Sequence, residues 1–121
     1  MNSQSLLSEV ISPDPNAKVL VIFGGNPHRR HEVLQMMSRI KGLTAYGTLS
    51  EAEGMDRLRT LPQVALVLIG GRYDDAQRAR IRAYVKAHMP GTQTTEPGYD
   101  YPYDNAAIEA NVRKKLGLEG E

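Results

Sequence analysis

A chain of 121 residues is the size of one domain, with room for a single core but not for two independent ones. Hydrophobic residues make up 40% and charged residues 24%, a balance that excludes a disordered chain, and the longest apolar run is far too short to span a bilayer. Fifteen basic against fourteen acidic side chains leave a formal charge of +1, so no global field points to nucleic acid or membrane, and zero cysteines exclude disulfides, thiolate metal sites and a cysteine nucleophile.

The head of the chain, residues 1–17, has no basic start followed by a long apolar stretch, so it does not read as a secretory signal and a cytoplasmic location is expected. Leu6, Leu7, Val10 and Ile11 stand at helical spacing before the break at Pro13-Asp14-Pro15. Two readings stay open for this segment, a short helix docked on the body or a mobile tail. The domain proper is expected over residues 18–117, with a short tail at 118–121.

Lys18 to Phe23 (KVLVIF) and Val64 to Ile69 (VALVLI) are β-rich and apolar at nearly every position, as strands covered on both faces are. They predict the two central strands. Leu43 to Gly47 and Thr92 to Glu96 are shorter or more polar and suit the margins of the sheet. Between them run helical patterns. Asn26-Pro27 makes an N-cap and first turn before the stripe Val33, Leu34, Met37 and Ile40. Ser50 with Glu53 forms a capping box ahead of Met55, Leu58 and Leu61, and Pro62 ends that helix. Asp74 or Asp75 caps a third helix with Ile81, Tyr84, Val85 and His88 facing inward, and on it Arg78, Arg82 and Lys86 read as a wet basic stripe. Asp104 caps the last, which buries Ile108, Val112 and Leu116 and stops at Gly117.

Four β-α units in succession predict an α/β fold: a three-layer sandwich with helices on both faces of a four-stranded parallel sheet. Placing the two most apolar strands in the middle gives the order 2-1-3-4. At the reversal between the first and third strands the following loops diverge and leave a crevice at the carboxyl end of the sheet. Both Gly-Gly pairs fall there.

Over Lys18 to Leu116 this order of elements resembles the receiver domain of bacterial response regulators, which implies a flavodoxin-like fold. The resemblance lies in element order and departs from the family's motifs. Gly24, Gly25 and Asn26 stand where receivers carry an acidic pair, and Ile69, Gly70 and Gly71 stand where they carry the phosphate-accepting aspartate. Thr94 and Thr95 are the only stand-ins for the later hydroxyl residue, and the chain is one β-α unit short. The resemblance therefore implies a degenerate receiver-like domain, with neither the Mg²⁺ cage nor the acyl phosphate that the chemistry needs.

The first candidate site sets Gly24, Gly25, Asn26, His28 and Arg29 opposite Gly70, Gly71, Arg72 and Tyr73. Glycine admits a ligand close to the backbone, and arginine offers a planar fork for phosphate or carboxylate. The alternative role for these glycines is relief of crowding where a strand turns sharply into a helix. No cofactor is implied, because the pattern lacks both G-x-G-x-x-G and a Walker lysine. The second candidate is Pro97 to Asp104, which concentrates Tyr99, Tyr101 and Tyr103 in five positions. Its rings, Tyr99 and Tyr101 above all, either stack on a ligand or anchor a partner, or else they cover the end of the sheet. His28 and His31 stand three apart with no third ligand in evidence, so no metal site is expected.

These features favour a non-catalytic domain that binds an anionic small molecule or a protein through the carboxyl edge of its sheet. The alternative is a small enzyme acting on a nucleotide or sugar phosphate, with Arg29 and Arg72 on the anion and Tyr99 or Tyr101 stacking. A third reading makes the domain a receiver-like regulator that captures another protein through its tyrosine loop. The open, polar fourth strand suits pairing across a two-fold axis into a homodimer. Neither nucleic acid nor membrane is an expected partner.

Overall fold

The structure, a computed structural model, describes residues 6–119; expectations for residues 1–5 and 120–121 lie outside the described residues. It is an α/β fold with four helices and a five-stranded, mostly parallel sheet. In chain order the elements are β1 (Glu9–Val10), β2 (Lys18–Phe23), α1 (Pro27–Met37), β3 (Leu43–Thr48), α2 (Glu51–Thr60), β4 (Leu66–Ile69), α3 (Asp75–His88), β5 (Gln93–Thr95) and α4 (Asn105–Leu116). The strands lie in the order β1-β3-β2-β4-β5.

A sheet of four strands is one too few. Glu9 and Val10 pair antiparallel with Tyr46 and Ala45, so the head of the chain contributes an edge strand where helical spacing suggested a helix. The cause is long-range. Gly47 N–H donates to the Ser8 carbonyl at 2.8 Å, Leu7 N–H donates to His31 Nδ1 at 2.9 Å, and Arg30 Nε donates to the Leu7 carbonyl at 3.1 Å. The first satisfies the open edge of β3, the other two tie Leu7 to α1, and together they outweigh the local pattern of four apolar residues. No helix among the described residues is long and apolar enough to cross a membrane.

Alternation along β2 divides the core in two. Leu20 and Ile22 face α1 and α4, packing with Leu34, Met37, Ile108 and Val112, while Val21 and Phe23 face α2 and α3 with Leu58, Ile81 and Val85. Both faces of β4 are buried in the same way, which is why Leu66 to Ile69 are apolar without alternation. Each helix starts on a side-chain cap: Asn26, Ser50, Asp74 and Asp104 accept from first-turn N–H groups. The capping box at α2 is only half formed, because Glu53 accepts from Leu49 N–H rather than from Ser50. Asp74 and Gln77 form the complete, reciprocal box at α3. Gly117 closes α4 in the left-handed conformation, φ 69°.

Candidate functional site

The two glycine corners meet because their strands are neighbours. β2 and β4 run parallel with Phe23 beside Ile69, and Gly70 N–H donates to the Phe23 carbonyl at 2.8 Å. A Cβ on Gly70 would stand 2.8 Å from that carbonyl oxygen, so the approach of the two chains requires glycine at this corner. Gly24, Gly25, Asn26, Arg29, Gly70, Gly71 and Arg72 line one cleft of about 550 Å³, its open mouth included. Ile22, Val33, Leu68 and Ile108 give it apolar walls, and Thr48 and Arg30 complete it.

Not every expected residue faces this space. His28 is exposed and uses its backbone N–H to bond Asn26 Oδ1 at 2.9 Å. Asn26 also takes the N–H of Arg29 at 3.0 Å, so its side chain already occupies the first turn of α1. Tyr73 lies on the α2–α3 side of the sheet, edge-on to Phe23 with ring centroids 6.0 Å apart, and its hydroxyl donates to the Gly24 carbonyl at 2.9 Å. It ties the two corners together from behind instead of lining the cleft. Burial, with the negative charges of Glu51 and Glu53 adding to it, pushes this hydroxyl up to about 12.

The tyrosine loop divides its three rings among three tasks. Tyr99 stacks on the Arg78 guanidinium, 4.0 Å from charge to ring centroid, and its hydroxyl bonds the Asp75 carboxylate, which holds its pKa above the usual value. Tyr101 is half-buried against the α1–α4 core with its hydroxyl 2.6 Å from Thr95 Oγ1, and burial raises its pKa. Tyr103 alone of the three lines the cleft. Its ring lies 5.2 Å from the Arg29 guanidinium and 3.2 Å from where a Cβ on Gly71 would stand.

Arg78 is no part of a wet stripe. It is fully buried, and it sends Nε to the Tyr73 carbonyl at 2.9 Å, Nη2 to the Gly70 carbonyl at 2.7 Å and Nη1 to Glu96 Oε1 at 2.9 Å. Glu96, itself buried, also receives Arg82 on both oxygens at 2.9 Å. The second glycine corner is thus held from within by a charged brace that the end of β5 and the tyrosine loop share. The signal for it was available in the sequence: Arg78 stands three and seven residues before Ile81 and Val85, on the buried stripe of α3.

Arg29 is paired with Glu32 at 2.6 Å and Arg30 with the Leu7 carbonyl, whereas Arg72, exposed on the same rim, makes no ion pair or side-chain hydrogen bond among the described residues. The backbone N–H groups of Gly25, Asn26, Gly71 and Arg72 are likewise unbonded among the described residues. The cleft therefore joins apolar walls to a rim of open donors, an arrangement suited to holding a small molecule by both ends. Among the described residues no group of three or more His, Asp or Glu side chains is placed to hold a metal ion. No protein-family model, curated protein or solved structure matches this chain.

Proposed function

We propose that this protein is a non-catalytic small-ligand-binding domain on a flavodoxin-like frame, using the carboxyl edge of its parallel strands. One observation carries the reading: two glycine corners on adjacent strands flank a cleft with apolar walls whose rim donors have no partner among the described residues. Concave, mostly apolar sites with a few convergent polar groups at a reversal of strand order are where small molecules bind in open α/β sheets. The buried Arg78 brace supports the same reading, because it fixes the Gly70 and Tyr73 carbonyls and so gives the corner one geometry before any ligand arrives.

A thermal-shift screen of metabolite-sized compounds, followed by amide mapping of the hits, tests it. Hits should raise the melting temperature and perturb the amides of Gly24, Gly25, Gly70 and Gly71; at a hundredfold over its dissociation constant a ligand adds about 2.7 kcal/mol. Hits that map to any other face of the protein overturn the assignment.

A further inference from the structure

Arg72 separates two hollows of unlike character. Its stem crosses Gly25, where an added Cβ would stand 3.5 Å from Arg72 Cδ. The residue borders both the cleft and a second, more polar hollow of about 440 Å³ formed with Leu49, Ser50, Glu51 and Gln77. Glu51 does not repel an anion there at full strength, since Arg80 grips both of its oxygens at 2.8 Å. With Arg29 and Arg30 engaged elsewhere, Arg72 is the cleft's guanidinium without a hydrogen bond or ion pair among the described residues. A fork of that kind, set against apolar walls, recognises carboxylate or phosphate better than any neutral group.

Resting on the binding reading above, we propose that the cleft takes a small organic anion: a ring-sized apolar body against Ile22, Val33, Leu68 and Ile108, and a carboxylate or phosphate held by Arg72. The body is flat because it enters beside the Tyr103 ring, which leaves room at Gly71 for no side chain without shifting. The anion is held by Arg72 and the open amides of the two corners. The first-turn N–H groups of α1 at His28 and Arg29 play no part, being bonded to Asn26 already.

Amide-detected NMR titration of the full chain with four probes tests this: benzoate, phenyl phosphate, benzyl alcohol and inorganic phosphate. Benzoate and phenyl phosphate should move the amides of Gly25, Gly70 and Gly71 and bind roughly tenfold more tightly than benzyl alcohol, the advantage of one charge-assisted hydrogen-bonded contact, and phenyl phosphate should bind more tightly than inorganic phosphate, which lacks the apolar body. Arg72→Ala, a substitution at an exposed position, should erase the advantage over benzyl alcohol, and Arg72→Lys should restore part of it. Benzyl alcohol binding at the glycines as tightly as benzoate, or benzoate binding unchanged in Arg72→Ala, overturns the anion assignment and leaves the cleft reading standing. Inorganic phosphate matching phenyl phosphate overturns the apolar body. Failure of all four probes to move the corner amides overturns the proposal, and the cleft reading falls with it only if the compound screen also maps elsewhere.

Discussion

The Arg78 guanidinium donates to the Gly70 carbonyl at 2.7 Å, so the residue that ends the most buried strand of the sheet is held by a charge inside the protein. The same side chain reaches the Tyr73 carbonyl and Glu96, and Tyr99 closes over it. Removing Arg78 leaves the Gly70 and Tyr73 carbonyls without this donor inside the protein and leaves buried Glu96 with Arg82 alone. Arg78→Ala should therefore destabilise the protein by about 3 kcal/mol or more, read by urea denaturation. Arg78→Lys should recover only part of the loss, because one ammonium cannot reproduce the fork that spans three acceptors. Wild-type stability in Arg78→Ala would show that the brace contributes nothing to the folded state.

Glycine at position 54 lies inside α2, where helix propensity alone says that alanine is better by about 1 kcal/mol. Packing reverses that sign. A Cβ on Gly54 would stand 2.2 Å from Phe23 Cε2, and the Phe23 ring is fully buried and fixed edge-on against Tyr73. Gly54→Ala should cost about 1–3 kcal/mol by overpacking. Gly91 supplies the control, since a Cβ there meets nothing within 4 Å. Gly91→Ala should be neutral or stabilising by up to about 1 kcal/mol. Parallel thermal melts of the two variants decide the matter, and a stabilised Gly54→Ala would contradict the packing argument.

Much of this frame can be read directly from residues. The apolar runs at Lys18–Phe23 and Val64–Ile69 mark buried strands, the second forming over Leu66–Ile69, and Asn26, Ser50, Asp74 and Asp104 mark where helices begin, because both signals are local. What was illegible depends on partners far along the chain. Two residues of β1 carry no strand signature of their own and are defined by the edge of β3. Arg78 reads as solvated from its charge, although it stands on the stripe of Ile81 and Val85, because the partner that permits its burial, Glu96, lies 18 residues away. His88 fits the inward pattern yet is exposed, stacked on half-buried Tyr84 at 4.6 Å. Among the tyrosines, composition identified the loop, but only the turn at Gly98, φ 89°, and the bridge between Pro97 and Tyr101 determine which ring reaches the cleft.

Alkaline pH should loosen the joint between the corners before it unfolds the rest. The Tyr73 hydroxyl keeps its proton up to about 12 in the folded protein, chiefly because burial disfavours the phenolate, against about 10 when unfolded. The group is neutral below both values, so its contribution is fully present below pH about 10. Between pH about 10 and about 12 the unfolded chain releases the proton and the folded one retains it, so stability falls as pH rises through that window. Tyr73→Phe should be less stable at neutral pH through loss of the bond to Gly24, yet should decline less steeply over that window. Denaturation midpoints measured at intervals of pH check this, and equal slopes for the two proteins would remove Tyr73 as the cause.

Tyr101 and Tyr103 are two residues apart and should answer mutation in opposite ways. The Tyr101 hydroxyl is bonded to Thr95, which in turn donates to Asn111 at 2.6 Å, and its ring packs on the α1–α4 core. Tyr101→Phe should thus cost about 1 kcal/mol of stability and leave the cleft unchanged. Tyr103 is 46% exposed, touches Arg29 and Gly71, and forms one wall of the cleft. Tyr103→Ala should leave the stability within about 0.5 kcal/mol of wild type, as exposed substitutions usually do, while weakening any ligand whose flat body lies along that wall. Melting curves and amide-shift titrations run on both variants separate the two roles. If Tyr101→Phe rather than Tyr103→Ala weakens binding, the ligand enters through the Thr95 side of the loop and the wall assigned to Tyr103 is the wrong one.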